Sequence, residues 1–285
     1  MKEMKHYGFF IAVAFAAIAM TGCKTEYETL LEGNDLDAKY AAAMDYFNQG
    51  KYSRSAQLFE SLAAVNSGTE RDDTVQYYWG LSNYRFKDYY TAETNFSNFI
   101  LSHPLSPLTQ EAYFYRIDCL YRNTLRYELD QKPTNSAIAT INQYLKNYPD
   151  TPYKPVCNNM LADLEERLDK KAFENARLYY KMEDYKASIT AFKNVLKDDS
   201  ENIYREDILY YTAMSSYKYA FMSVAEKQKE RYLVFVDDYL NFVGEYPESD
   251  YRRELDGLYR KAQKFLGKYP TVLSAEGDGD EESED

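Results

Sequence analysis

Cysteine, histidine and paired carboxylates are the residues of this sequence that could supply nucleophilic, acid-base or metal chemistry. The 285 residues include only two histidines, His6 and His103, too few for a histidine-based triad or a histidine metal cluster. No nucleophile elbow, phosphate-binding loop or dinucleotide-binding glycine motif occurs in the sequence. Carboxylate pairs such as Glu165-Glu166 are expected by chance among 46 acidic residues on solvated helix faces. We therefore expect no enzymatic activity, no metal and no cofactor.

One of the three cysteines has a sequence context that implies covalent chemistry. Cys23 ends the segment Met20-Thr21-Gly22-Cys23, which follows a charged start and an apolar run over residues 9–20. A run of about a dozen residues is shorter than the roughly 20 that span a bilayer, so residues 1–22 are predicted to be a secretory signal. The junction resembles a bacterial lipobox, which implies that the Cys23 thiol is acylated and that the cysteine becomes the N-terminus after cleavage.

The three cysteines leave two alternatives open. The signal could instead be an ordinary one cleaved near Ala17 or Ala19, or a retained apolar anchor. Cys119 and Cys157 lie in apolar helical patterns, where cysteines are more often small buried residues than partners in a disulfide. A bridge between them stays possible, because an oxidising compartment permits one.

The distribution of charge excludes one class of partner. The net charge is −12, and seven carboxylates lie within the last ten residues. No stretch of the sequence is dense enough in lysine and arginine to neutralise a run of phosphates, so we expect no nucleic-acid binding. Residues 268–285 are predicted to be a disordered acidic tail.

An internal repeat organises the remainder of the chain. A tyrosine is followed by a small residue at +3, an aromatic residue at +7 and an apolar residue at +10, offsets that share one face of a helix. The series are Tyr52/Ser55/Phe59/Leu62, Tyr89/Ala92/Phe96/Phe99, Tyr185/Ser188/Phe192/Val195 and Tyr232/Phe235/Tyr239/Phe242. Phe235 breaks the rule of a small residue at +3. A further series has Thr134 in place of the tyrosine, followed by Ala137 and Ile141, which makes five units.

A proline junction separates successive units. The order is an aromatic residue or histidine, then proline, any residue, and serine or threonine, as in residues 103–106, 148–151 and 246–249. Proline ends one helix, and the hydroxyl can cap the next. The predicted helices are 35–48, 52–65, 72–86, 89–102, 108–128, 134–147, 152–181, 185–197, 203–226, 229–245 and a capping helix near 250–267.

These spacings resemble the tetratricopeptide repeat, in which small residues such as Ala43, Gly80 and Ala176 let the helices of a pair approach closely. The predicted fold is all-α, a superhelical array of about five such helix pairs plus a C-terminal capping helix. The predicted domains are a signal peptide (1–22), a lipidated tether (23–34), a repeat domain (35–267) and the acidic tail (268–285).

The combination of lipobox, five helix pairs and proline junctions resembles the BamD-like family of outer membrane protein assembly lipoproteins. The most specific stretches are residues 144–153 and 174–180, while the acidic tail and Phe235 depart from the family pattern. The resemblance implies a protein anchored in the outer membrane through lipid on Cys23 and facing the periplasm. Its partners would be the barrel-forming assembly subunit, which has repeated periplasmic domains, and unfolded outer membrane proteins.

The first helices of the first two pairs supply a candidate partner-binding groove. In helix-pair arrays the first helix of each pair usually lines the concave surface, which would then hold an extended apolar peptide that ends in an aromatic residue and a carboxylate. The groove residues are Tyr40, Met44, Phe47, Tyr77, Leu81, Tyr84 and Arg85. The alternative is that half of these aromatic side chains fill the core between repeats. A scaffold for another cell-envelope complex is the alternative function, and the clients, the oligomeric state and a cell-surface orientation stay open.

Overall fold

The computed structural model describes residues 25–267, and within that range all regular structure is helical. The twelve described helices are α1 (Glu26–Glu32), α2 (Leu36–Asn48), α3 (Tyr52–Ala63), α4 (Asp72–Phe86), α5 (Tyr89–Ser102), α6 (Thr109–Arg122), α7 (Lys132–Asn147), α8 (Lys154–Lys181), α9 (Tyr185–Asp198), α10 (Arg205–Phe221), α11 (Ala225–Glu245) and α12 (Arg252–Leu266). The all-α prediction is confirmed. The predicted signal, Cys23 and the acidic tail lie outside the described residues.

The chain forms two compact units. The first comprises residues 25–125 and 132–158, and each of its helices from α2 to α7 packs against its neighbours in the chain. The second comprises residues 126–131 and 159–267, where α9, α10, α11 and α12 pack in the same sequential way. Packing of neighbour on neighbour is the arrangement of a helix-pair repeat.

The turn inside three of the pairs has one backbone design. A residue with left-handed backbone stands two positions before the tyrosine that starts the second helix: Gly50 (φ 74°), Lys87 (φ 70°) and Glu183 (φ 62°). In each turn the next N–H donates to the carbonyl five residues earlier, as Asp88 N does to Asn83 O at 3.0 Å. This is the Schellman ending of a helix. The second helix therefore starts at a fixed angle to the first.

The proline junctions also repeat. In each of the three, the hydroxyl accepts a hydrogen bond from the backbone N–H two residues later: Ser106 from Leu108, Thr151 from Tyr153 and Ser249 from Tyr251, at 3.1–3.3 Å. The next helix begins one residue after each of these N–H groups. The hydroxyl thus organises the turn before the helix, rather than capping an amide within its first turn.

The predicted buried faces form the cores of both units. The residues at +3 and +7, Ser55 and Phe59 in the first pair and Ser188 and Phe192 in the fourth, are fully buried. The serine hydroxyls meet a serine of the following helix pair, Ser55 with Ser82 at 3.0 Å and Ser188 with Ser215 at 2.9 Å. Each pair of serines is 27 residues apart, so the sequence repeat has an equivalent contact in each unit.

Three predicted helix boundaries were wrong by four residues or more. The helix expected over 108–128 ends at Arg122, and residues 123–131 form a loop. Carbonyls of this loop are satisfied by side chains: Lys171 donates to Tyr127 O and Leu129 O, and Gln131 donates to Leu129 O. The helix expected over 203–226 ends at Phe221, and the next begins at residue 225 instead of 229.

A helix lies inside the segment predicted as a tether. Residues Glu26–Glu32 form α1, which starts with a capping box in which Thr25 and Glu28 exchange hydrogen bonds with each other's backbone. The Tyr27 ring packs edge-on against Tyr46 at 5.6 Å, and its hydroxyl donates to Gln57 at 2.6 Å. These contacts hold the start of the described chain against the first helix pair.

Candidate functional site

The predicted groove residues divide by burial. Tyr77 and Leu81 are only 4% and 7% exposed. The Tyr77 ring lies 6.1 Å from Phe96 and 6.0 Å from Phe99, centroid to centroid, inside the core of the second pair. In this conformation only a small part of each side chain is accessible to a ligand. They occupy the core position that the sequence left as the alternative.

The three groove residues of α2 are partly exposed. The Tyr40 ring packs edge-on against Phe59 at 6.2 Å, with the guanidinium of Arg71 lying 5.3 Å from its centroid. Phe47 contacts Tyr78 at 5.1 Å, and Met44 packs at the margin of the same apolar core. Each side chain therefore contributes to the core and keeps an accessible part.

Tyr84 anchors a polar network at the other end of the predicted groove. Its hydroxyl donates to Asp118 at 2.6 Å, and Asp118 also pairs with Arg122. Burial, followed by the hydrogen bond to Asp118, raises the pKa of Tyr84. Its ring lies 4.8 Å from that of Tyr115. The ring is thus held in place by groups on α6, and Tyr84 is half-buried.

Arg85 is exposed and lies beside these rings. Burial, followed by the negative charge of Glu111, raises the pKa of the Tyr115 hydroxyl, and the positive charge of Arg85 acts in the opposite direction. Arg85 also lines a cleft of about 520 Å³ together with three other cations, Lys51, Arg54 and Lys87. The structure therefore brings Tyr84, Tyr115 and Arg85 together as one aromatic and cationic surface.

The cationic cleft is a feature that sequence reasoning missed. Its cations belong to two turns, Lys51 and Arg54 around the start of α3 and Arg85 and Lys87 around the end of α4. The sequence analysis treated these segments only as connections between helices. A comparison of the aligned turns would have found the cations, because the equivalent turn of the fourth pair has Glu183-Asp184.

A second cleft, of about 890 Å³, lies in the second unit between α8 and α9 and the turn after α9. Six carboxylates line it, among them Glu165, Asp169 and Asp199. Burial raises the pKa of Asp169, and the neighbouring Asp199 adds to this effect. The hydrogen bond that Asp169 accepts from Ile203 N acts in the opposite direction. Among the described residues, no group of three or more His, Cys, Asp or Glu side chains is arranged to hold a metal ion.

An exposed apolar turn follows α10 in the fifth pair. Phe221, Met222 and Val224 are 62%, 64% and 65% exposed. Large apolar side chains that lie together at this exposure mark a surface suited to contact with another protein.

Cys119 and Cys157 are buried free thiols, so the structure has no disulfide bond between them. Within residues 25–267, no helix has the length and hydropathy needed to cross a bilayer.

Comparison with known proteins identifies the family. The model of the YfiO family, described as outer membrane lipoprotein, matches residues 33–233. The chain belongs to this family. A curated relative, outer membrane protein assembly factor BamD of Caulobacter vibrioides, is 22% identical over 203 residues, which are 70% of this chain and 67% of the relative.

Solved structures of tetratricopeptide-repeat proteins are also similar. A TPR repeats protein from Bacteroides fragilis is 17% identical, covers 82% of this chain and all of its own, and has a TM-score of 0.39. The TPR2AB domain of yeast Sti1, in its complex with pHSP90, is 12% identical, covers 80% of this chain and 98% of its own, and has a TM-score of 0.37. The assignment of helix pairs rests on the turns and cores described above.

Proposed function

We propose that this protein is a lipid-anchored scaffold of the outer-membrane β-barrel assembly machinery, placed on the periplasmic side of the outer membrane. The observation that carries the proposal is the family match over residues 33–233, which covers all the helices from α2 to α10 and the start of α11. The name of the curated relative, an outer membrane protein assembly factor, supports the same role. Its work would be binding and delivery, since the sequence has no recognised catalytic motif and the described residues have no His, Cys, Asp and Glu group arranged to hold a metal ion.

The anchor is the acylated Cys23. Its support is the sequence alone, because the cysteine and the signal segment 1–22 lie outside the described residues. The described chain begins two residues later and is held on the first helix pair through Tyr27. The tether between lipid and folded body is therefore short in our proposal.

Client binding is assigned to the surface of Tyr84, Tyr115 and Arg85. An aromatic residue at the end of an unfolded outer membrane protein would pack against the two rings, and its terminal carboxylate would pair with Arg85. Tyr40, Met44 and Phe47 would contact the preceding apolar residues with their accessible parts. Tyr77 and Leu81 would support this surface from the core.

The barrel-forming subunit is assigned to the third and fifth pairs, with the turn of Phe221, Met222 and Val224 as its principal contact. These side chains are mostly exposed in the isolated chain, and their burial in a complex would remove a large apolar area from water. The turn of Phe221, Met222 and Val224 lies in the second unit, whereas the third pair and the client surface lie in the first.

Co-purification after extraction in mild detergent tests the proposal. We expect recovery of a β-barrel protein with repeated periplasmic domains, and we expect Met222→Glu to reduce that recovery because it places a charge within an apolar contact. Lys197→Glu, at another exposed position of the second unit, is the matched control. Recovery of a different envelope complex, with no such barrel protein, would favour the alternative of a scaffold for another machinery.

A further inference from the structure

The cationic cleft of the first unit is not explained by client binding alone. Client binding as proposed uses Arg85, whereas Lys51, Arg54 and Lys87 also line the cleft, and no acidic residue does. This concentration of positive charge stands out in a chain with 46 acidic and 34 basic residues. The adjacent carboxylate, Asp88, is already engaged as the N-cap of α5, where it accepts from Thr91 N at 3.1 Å.

The backbone of the turns does not require these cations. The turn in the fourth pair has a residue with left-handed backbone at the same position and has the same backbone hydrogen bonds. It has Glu183 and Asp184 where the first pair has Gly50 and Lys51. The turn geometry therefore does not account for the positive charge in the first two pairs, where Lys51 and Arg54 lie 5.4 Å and 5.7 Å from the centroid of the Tyr46 ring and have no carboxylate partner among the cleft residues. An anionic ligand is the one that four cations around one cleft would attract.

The start of the described chain lies against one of these cations, Arg54. The Arg54 guanidinium lies 5.2 Å from the centroid of the Tyr27 ring, and the Tyr27 hydroxyl oxygen lies 3.4 Å from Arg54 O. Tyr27 is four residues after Cys23, and four residues span at most about 14 Å. An acyl group on Cys23 would therefore keep the bilayer surface within about that distance of Tyr27 and the edge of the cleft.

Aromatic exposure beside the cleft fits a bilayer surface. Phe86, which lines the cleft, is 56% exposed, and Tyr90, which follows the cleft residue Lys87 by three positions in the chain, is 79% exposed. Aromatic side chains are favoured at the interface between headgroups and acyl chains, and clustered lysine and arginine side chains bind anionic headgroups. An acidic peptide would satisfy the cations equally well, but it would not explain their closeness to the anchored end of the chain.

We propose that Lys51, Arg54 and Lys87 bind the phosphate groups of anionic phospholipids in the leaflet that holds the Cys23 acyl chains. The contact orients the first helix pairs on the membrane surface. This inference rests on the lipid anchor of the proposed function. It adds a second, electrostatic membrane contact to a covalent one, the combination by which lipidated proteins achieve stable and oriented attachment.

The test uses the acylated full-length mature protein in vesicles, with a dye attached through Tyr90→Cys and a quencher on the lipid headgroups. Cys119 and Cys157 are fully buried and do not compete for the dye. We expect quenching to be about twofold or more greater in vesicles with phosphatidylglycerol than in phosphatidylcholine vesicles, and to fall to the phosphatidylcholine level in about 0.5 M salt.

Charge removal identifies the cations responsible. The combined variant Lys51→Gln, Arg54→Gln, Lys87→Gln should reduce quenching in phosphatidylglycerol vesicles to the neutral level, with Arg85 left intact for the client. The matched control removes three exposed lysines of the second unit, Lys197, Lys261 and Lys264, by the same substitution and should keep the quenching. Circular dichroism of both variants checks that the helices persist.

Three results would overturn the inference, and they differ from a failure of the anchor. Equal quenching in neutral and anionic vesicles, or an unchanged signal in the triple variant, would show that the cleft does not bind lipid. Displacement of the protein from anionic headgroups by a heptaglutamate peptide at micromolar concentration would identify an acidic peptide as the occupant. An unmodified Cys23 in the intact mass would refute the anchor itself, and the inference would fall with it.

Discussion

Two helices of the first unit approach each other closely at Gly80, and replacing this glycine by alanine tests the repeat packing. A Cβ atom on Gly80 would lie 3.0 Å from Cε1, 3.1 Å from Cδ1 and 3.2 Å from Cζ of the Phe96 ring. The ring has little freedom to move away, since it is fully buried and stacked on Tyr115 at 5.6 Å. Gly80 is thus the small residue that lets α4 pack on α5.

Two opposing free energies decide the effect of Gly80→Ala. Alanine in a helix interior is favoured over glycine by about 1 kcal/mol. Overpacking of a tight contact costs about 1–3 kcal/mol. We therefore expect the free energy of unfolding to fall by about 0–2 kcal/mol. The matched control is Gly257→Ala in α12, where an added Cβ has nothing within 4 Å and should stabilise by up to about 1 kcal/mol.

The assay is denaturation by urea followed with two probes. Trp79 is the single tryptophan and adjoins Gly80, so its fluorescence reports on the first unit, while circular dichroism reports on all the helices. The double variant Gly80→Ala, Phe96→Leu should recover part of the loss, with a favourable coupling energy of about 0.5–3 kcal/mol. If Gly80→Ala stabilised the protein as much as Gly257→Ala does, the close approach of α4 and α5 would be refuted.

Three further outcomes are expected. Cys23→Ala should leave the protein in the soluble fraction after a salt wash, and membrane retention of this variant would contradict the lipid anchor. Arg85→Glu should weaken binding of a peptide from the last strand of a barrel protein by about 1–2 kcal/mol, and by more when the peptide has a free C-terminus than when it is amidated. Tyr84→Phe should bind nearly as the wild type does, because the ring is retained. Equal affinity of Arg85→Glu for the free and the amidated peptide would exclude the carboxylate contact. Burial and the hydrogen bond to Asp256 raise the pKa of Tyr239 to about 12. As the pH rises, the tyrosine therefore loses its proton in the unfolded chain before it does so in the folded protein. The free energy of unfolding should fall by about 1–2 kcal/mol between pH 10 and pH 12. Tyr239→Phe should lessen that slope, and an unchanged slope would place the responsible group elsewhere.

Local patterns determined most of the helices from the sequence. The spacing of buried residues in the series from Tyr52, Tyr89 and Tyr185 predicted helices whose observed starts are these same residues. The aspartates before the last two of these tyrosines cap their helices through side-chain oxygens. Such signals are carried by residues three to four positions apart, so they do not depend on the remainder of the chain. The capping box of α1 has the same local character and could have been predicted.

Long-range packing decided what the sequence left open. Tyr77 and Tyr84 stand seven residues apart on one helix, yet Tyr77 is buried against Phe96 and Phe99 while Tyr84 reaches Asp118 on α6. Which of two such tyrosines enters the core depends on the side chains of neighbouring helices, and helical periodicity does not contain that information. The end of α6 at Arg122 likewise depends on distant groups, because Lys171 satisfies carbonyls of the following loop from 42 and 44 residues away.

The cationic cleft shows the same division between sequence and tertiary structure. The sequence places Lys51 and Arg54 in one turn and Arg85 and Lys87 in another, and each turn alone is an ordinary solvated connection. The cleft exists because α3 packs on α4, which brings together two turns that are about one repeat apart in the chain. Charges on separate turns act on one ligand only when packing holds them within a screening length of about 10 Å, and that distance is a property of the folded repeat.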